Sequence, residues 1–246
     1  MMLHIYWAEL ETLEDFYDEK VNMLHQERAE KISAYKMPAD RVRGLGAGLL
    51  LERGLEGYLA DLRANIEAIG QDSDNECDYG YVIPKDEEGR YIIHYGYGPQ
   101  GKPYLIDYPG IHFSLSHSGN MAVLAISDSE IGIDVQERRG YQEKVAKRFY
   151  HESEIAVIEA ISDPAEKANC FYQMWTAKEA YIKFTGKGMG QDLRSFGVDL
   201  VYECILEEGK KVALCKTIRM ESDDYFCSLV CDIKLQKIDK ISKIQL

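Results

Sequence analysis

Hydrophobic and polar positions along this 246-residue chain change period several times, and each change predicts an element. Residues 3–9 read as a strand, and the charged stretch 13–33, with spaced apolar positions, as one or two helices. From Asp40 to about Ile69, Leu45, Leu49, Leu50, Leu55, Leu59 and Leu62 recur at helical spacings. Gly44, Gly46 and Gly48 interrupt the start of that helix. No GxGxxG or Walker pattern accompanies them, so close helix packing explains them better than a phosphate cradle.

Residues 70–90 are polar, acidic and Gly-containing, and predict an exposed loop or insertion. Strand-like text resumes at Tyr91–Tyr97, followed by a turn signal at Gly101-Lys102-Pro103-Tyr104-Leu105, by the stretch His112–Gly119, and by strands over 121–126 and 131–135. Helical patterns return over 141–149, 151–162 and 165–184, and β-like text closes the chain over 196–206, 211–219 and 225–233. Strand, helices and strands thus occur twice in order. The expectation is an α+β protein of two similar halves, 1–130 and 131–246, each an antiparallel sheet packed with helices.

Composition narrows the class. At 46% hydrophobic the chain has material for a sizeable core, and no apolar run approaches the roughly 20 residues that span a bilayer. The N-terminal Met1–Trp7 lacks a basic region and reads as a strand rather than a signal peptide. Six cysteines, none in a CxxC pair, read as small core residues of a reduced, cytoplasmic protein. A net charge of −13 argues against broad nucleic-acid binding but not against a local pocket for one small anion. Eight acids against two bases within 65–90 carry much of that charge.

Two blocks hold side chains that need an explanation. In Ile131-Gly132-Ile133-Asp134-Val135 the branched residues share one strand face and Asp134 takes the other, beside the space left by Gly132. In Trp175–Lys183, Lys178 falls within the apolar arc of a helix, and Glu179 and Lys183 line its edge. The plain alternatives are an acid on a solvated sheet face, a snorkelling lysine and a routine i,i+4 pair. The chemical reading is a Mg²⁺ site, with one or two carboxylates plus phosphate oxygens and water, provided that the fold joins Asp134 to Glu179. Ser116-His117-Ser118-Gly119 lacks the G-x-S-x-G spacing of a nucleophile elbow.

Taken in order, Arg28–Lys31, Asp40–Arg43, Gly101-Lys102-Pro103, Phe113–Gly119, Gly132-Ile133-Asp134, Phe149–Glu154, Trp175–Lys183 and Gly186-Lys187-Gly188 resemble the 4′-phosphopantetheinyl transferases of the large, pseudo-dimeric, surfactin-synthetase-activating type. Each block is weak alone; the order and the W-T-x-K-E-x-x-x-K block are specific. Residues 65–90 fall outside the resemblance.

The resemblance implies transfer of 4′-phosphopantetheine from coenzyme A to a serine of an apo carrier protein, acyl or peptidyl, with release of 3′,5′-ADP and a need for Mg²⁺. It implies that Asp134 and Glu179 hold the ion, and that Arg28, Lys31, His117 and, more weakly, Arg43 contact phosphates of coenzyme A. Gly101, Lys102 and Pro103 would run beside the adenine, Ser116 near the nucleotide, and Lys178 and Lys183 at the pyrophosphate. Glu179 or Glu154 would take the serine's proton. One departure stands inside the first block: Gln136 occupies the place of a third acid, bringing an oxygen but no charge, which predicts weaker metal binding. A monomer is implied too, with carrier docking on Arg138, Arg139, Lys144, Lys147 and Arg148. The rival readings are a non-catalytic coenzyme A or nucleotide-binding module and a serine hydrolase using Ser116 or Ser118 with His117.

Overall fold

A computed structural model of the chain describes residues 2–69, 81–234 and 237–246. The chain begins with β1 (Leu3–Glu9), the short helices α1 (Tyr17–Val21) and α2 (Gln26–Ser33), and the long helix α3 (Pro38–Ile69). A small hairpin of β2 (Tyr95–Tyr97) and β3 (Pro103–Leu105) precedes β4 (His112–Ser118), β5 (Met121–Ser127) and β6 (Ile131–Glu137). Then come α4 (Glu143–Phe149), α5 (Glu152–Glu159) and α6 (Pro164–Thr185), and last β7 (Gly197–Asp199), β8 (Cys204–Glu207), β9 (Lys210–Ile218), β10 (Tyr225–Cys231) and β11 (Lys240–Lys243).

The strands form a sheet of order β11-β1-β5-β4 and another of order β6-β10-β9-β8-β7, beside the β2-β3 hairpin. All pairings are antiparallel except β11 with β1. Strand alternation assigns the faces. Tyr6 and Ala8 of β1 and Ala122, Leu124 and Ile126 of β5 share a core with Leu49, Leu50 and Leu55 of α3. The opposite positions, Leu3, Ile5, Trp7, Val123 and Ala125, pack on Ile131, Ile133, Val135, Cys227 and Leu229 of the second sheet. The second sheet's outer face, through Cys215 and Val230, is covered by Ala177, Ala180 and Ile182 of α6. The order of layers is helix, sheet, sheet, helix, an α+β arrangement as expected.

Local chemistry explains the two covering helices. The start of α3 needs its glycines: a Cβ on Gly46 would meet Leu10 Cδ2 at 2.3 Å, and one on Gly44 would meet the Tyr35 ring at 2.9 Å. Asp163 caps α6 by accepting hydrogen bonds from the Ala165 and Glu166 N–H groups, both at 2.9 Å, ahead of Pro164 in the first turn. Gly186, at φ 67°, ends it in the left-handed region.

Several boundaries differ from expectation. Only Tyr95–Tyr97 of the run 91–97 becomes a strand, and 196–206 divides into β7 and β8 around a turn. Of the stretch 70–90, read as an exposed loop or insertion, 70–80 lie outside the described residues, and 81–90 are anchored by buried Ile83. β11 returns the chain's end to the first sheet, where the Ile244 N–H donates to the Trp7 carbonyl at 2.8 Å, so a division at 130 leaves residues 240–244 with the wrong sheet.

Candidate active site

The site lies along the seam where β4 runs beside β6. Ser114, Ser116 and Ser118 alternate along β4, so their hydroxyls share a side. Ser114 Oγ accepts from the Ile133 N–H and Ser118 Oγ from the Glu137 N–H, each at 3.0 Å, while Ser116 Oγ donates to Asp134 Oδ1 at 2.6 Å. The serines thereby join two sheet edges that share no backbone ladder and point Asp134 at α6.

Gly132, on the same face of β6 as Asp134, sets how close α6 comes. A Cβ there would stand 1.9 Å from the Ala180 carbonyl oxygen and 2.6 Å from the Phe184 nitrogen. The approach delivers two α6 side chains, one turn apart, to Asp134. Lys183 Nζ donates to Asp134 Oδ1 at 2.7 Å and to the Ile133 carbonyl at 3.1 Å. Glu179 is half-buried and has no hydrogen-bond or ion-pair partner among the described residues. Burial and the nearby Asp134 charge push its carboxyl above the usual carboxylate range, against the pull of Lys183. Asp134 is 2% exposed, which excludes a solvated sheet face. Gln136 adjoins it, with Nε2 donating to Asp134 Oδ2 at 3.3 Å.

A cleft of about 430 Å³ opens from this cluster and takes its walls from both sheets' layers. Arg28 and Lys31 come from α2, Tyr95 and Tyr97 from β2, Gly101, Lys102 and Pro103 from the turn before β3, and Glu179 and Lys183 from α6. The turn requires Gly101, at φ 83°. Lys102 Nζ is committed to protein: it donates to Glu130 Oε2 at 2.6 Å and to the Ile131 and Phe184 carbonyls, both at 3.3 Å. It latches the turn to the start of β6 and the end of α6. Lys31 donates to the Tyr97 hydroxyl at 3.0 Å. His117 is exposed and does not line the cleft; desolvation and the positive charges of Arg43 and Lys183 hold its imidazole below the usual value. Arg43 is itself paired to Asp40 at 2.6 Å.

Two expected site residues are elsewhere. Lys178 is fully buried, ion-paired to Glu154 Oε2 at 2.8 Å, and donates to the Leu193 and Phe196 carbonyls at 2.8 and 2.9 Å. Its three donors are used, so no N–H is left for a pyrophosphate. Glu154 is 2% exposed; its oxygens accept from the His151 and Val198 N–H groups, each at 2.8 Å, besides Lys178. It joins α5, α6 and β7 and does not line the cleft, whereas Glu179 does. The hydrolase reading fails too, because Ser116 is bonded to Asp134 and Ser118 to Gln136 and Glu137 rather than to His117. Sequence reasoning missed the serine seam, although its signal, three serines at i, i+2 and i+4 in one strand, is present in 112–118.

The residues present fit a hard divalent cation. Among the described residues no three His, Cys, Asp or Glu side chains form an all-protein cage. Two adjoining carboxylates, one without a partner, match what Mg²⁺ takes beside phosphate oxygens and water, whereas the Gln136 amide turns its nitrogen to Asp134 and its oxygen to Ser118.

Comparison with known proteins finds similarity over part of the chain. Residues 130–229 match the family model of the 4′-phosphopantetheinyl transferase superfamily. A 4′-phosphopantetheinyl transferase of Bacillus subtilis is 38% identical over 108 residues, covering 44% of this chain and 48% of that protein. The transferase psf-1 of Bacillus pumilus is 41% identical over 97 residues, covering 39% and 41%. A putative transferase of Synechocystis is 40% identical over 106 residues, covering 41% and 43%. The chain thus covers less than half the length of these relatives. The matched segment holds Asp134, Glu179 and Lys183, and over it the chain is similar to the 4′-phosphopantetheinyl transferase superfamily.

Proposed function

We propose that the protein transfers 4′-phosphopantetheine from coenzyme A to a serine hydroxyl of an apo carrier protein, acyl or peptidyl, releasing 3′,5′-ADP. The observation that carries this reading is the unpartnered Glu179 carboxyl beside buried Asp134 and Lys183, on a cleft lined by further cations. Asp134 and Glu179 would hold Mg²⁺, with Gln136 a neutral third oxygen donor only once its amide turns over from its bonds to Asp134 and Ser118; the ion would supply charge stabilisation to the departing diphosphate. Arg28 and Lys31 bind and orient the nucleotide's phosphates, and Lys183 steadies the pyrophosphate from the Asp134 side. Glu179 takes the hydroxyl proton as the serine oxygen bonds to phosphorus. The bond from that phosphorus to the bridging oxygen breaks, and the electron pair leaves with 3′,5′-ADP.

A coenzyme A or nucleotide-binding module without catalysis would keep the basic contacts and lose an acid of the pair, so the presence of both Asp134 and Glu179 favours the enzyme. The carrier would dock near α4, where Lys144 and Arg148 carry no ion pair among the described residues, whereas Arg138, Arg139 and Lys147 pair with Asp224, Glu137 and Glu143. The test is to incubate the protein with coenzyme A, Mg²⁺ and an apo carrier and to measure 3′,5′-ADP. Release that depends on the carrier's serine supports the reading; none across fatty-acid, polyketide and peptide carriers overturns it. Gln136→Glu should lower the Mg²⁺ concentration for half-maximal rate; an unchanged value removes Gln136 from the metal set.

A further inference from the structure

Behind the cleft lies a cavity of about 360 Å³, and Arg28, Lys31, Tyr95 and Tyr97 form the wall between the two. Glu52 of α3 faces this cavity. It is 4% exposed and has no hydrogen-bond or ion-pair partner among the described residues. Arg28 offers a match: its Nε is buried without a hydrogen-bond partner, and its guanidinium stands 5.5 Å from the Tyr95 ring centre. An unpaired buried carboxyl and an incompletely bonded guanidinium lining one cavity form an unfinished pair.

We propose that Glu52 is a positioning residue whose carboxyl competes with a ligand phosphate for the Arg28 guanidinium, so that phosphate binding in the cleft is coupled to protonation of Glu52. The proposal rests on the reading of Arg28 as a phosphate contact. Burial pushes the Glu52 carboxyl up to about 8, opposed by Arg28 and Arg53. Other groups facing the cavity are Glu27 and Lys31 of α2, His25 before it, and Tyr91, Tyr95 and Tyr97. On its far side stand Tyr6, Glu56, Lys85, Glu88, Arg90 and Lys240. Burial holds the hydroxyls of Tyr91 and Tyr95 up at about 12, outside the relevant range.

The sign follows from charge. A phosphate dianion on Arg28 cancels the cation that favours ionised Glu52, and adds a negative charge of its own. Glu52 then holds its proton more tightly in the complex, binding takes up a proton near pH 8, and affinity falls as pH rises above that value. A phosphate monoester is already a dianion throughout this range.

The experiment is isothermal titration with 3′,5′-ADP, which carries phosphates without coenzyme A's thiol. Near pH 8, in two buffers of different ionisation enthalpy, the wild-type protein should take up a fraction of a proton. Between about pH 7 and about pH 9.5 its affinity should fall by about tenfold, the effect of one pKa unit of coupling. Glu52→Gln, shown folded by circular dichroism, should flatten that dependence, and Arg28→Ala should weaken binding at every pH. Binding with no proton uptake by the wild type, or with equal slopes in the wild type and Glu52→Gln, overturns the coupling and leaves the transferase reading intact. No binding by the wild type at any pH overturns both.

Discussion

Glu179 and Lys178 are neighbours in sequence and opposites in chemistry. Helix geometry turns them about 100° apart, which places Glu179 over the cleft and Lys178 inside the core against Glu154. The sequence makes both conspicuous as charges on an apolar helix, but not which one faces a ligand. That depends on Glu154, 24 positions upstream, closing around Lys178. Lys178→Met should cost about 3–5 kcal/mol in urea unfolding, because it strands buried Glu154, with KM for coenzyme A unmoved in the protein that remains folded. Glu179→Gln should lower kcat by about 10²–10⁴-fold without lowering Tm. With its folded-state pKa raised, Glu179 binds its proton more tightly folded than unfolded, so its ionisation costs stability as pH rises through that range. The amide removes this cost.

At the scale of elements, long periodic segments were legible and short ones were not. The leucine spacing of α3 and the alternation of β6 reflect large buried faces, which impose a period on the sequence. β2, β3 and β7 have three residues each, too few to show one, and β11 is a Lys-bearing edge strand without an apolar signature. The sequence also placed Gly132 beside Asp134 but could not say what fills the gap, since the filler is the backbone of α6. Gly132→Ala should force α6 off β6 at an overpacking cost of about 1–3 kcal/mol or more. Activity should fall further than stability alone explains, because Glu179 and Lys183 ride on α6; a Tm loss with full kcat in the folded fraction would refute this role.

At the scale of the molecule, the shared inter-sheet core makes the two layers one folding unit, and β11 fastens the chain's end to its beginning. The repeated strand–helices–strands order suggested two halves; their face-to-face packing is carried by ordinary alternating apolar residues that do not name their partners. The two tryptophans report on the layers separately, Trp7 from β1 and Trp175 from α6. Trp7→Phe and Trp175→Phe variants, each followed by its remaining tryptophan, should unfold in urea as single transitions whose midpoints agree after correction for the far-UV signal; separated midpoints would show independent halves. Despite a net charge of −13, the cleft gathers Arg28, Lys31 and Lys183 from both ends of the chain, a local field that bulk composition conceals.

The most direct test of the central claim is the intact mass of an apo carrier protein after incubation with coenzyme A, Mg²⁺ and either the wild-type protein or Glu179→Gln. The account predicts that the wild type adds one phosphopantetheine group at the carrier's serine and that Glu179→Gln adds it at least about a hundredfold more slowly. An unmodified carrier with the folded wild type, or equal rates from the two proteins, would contradict it.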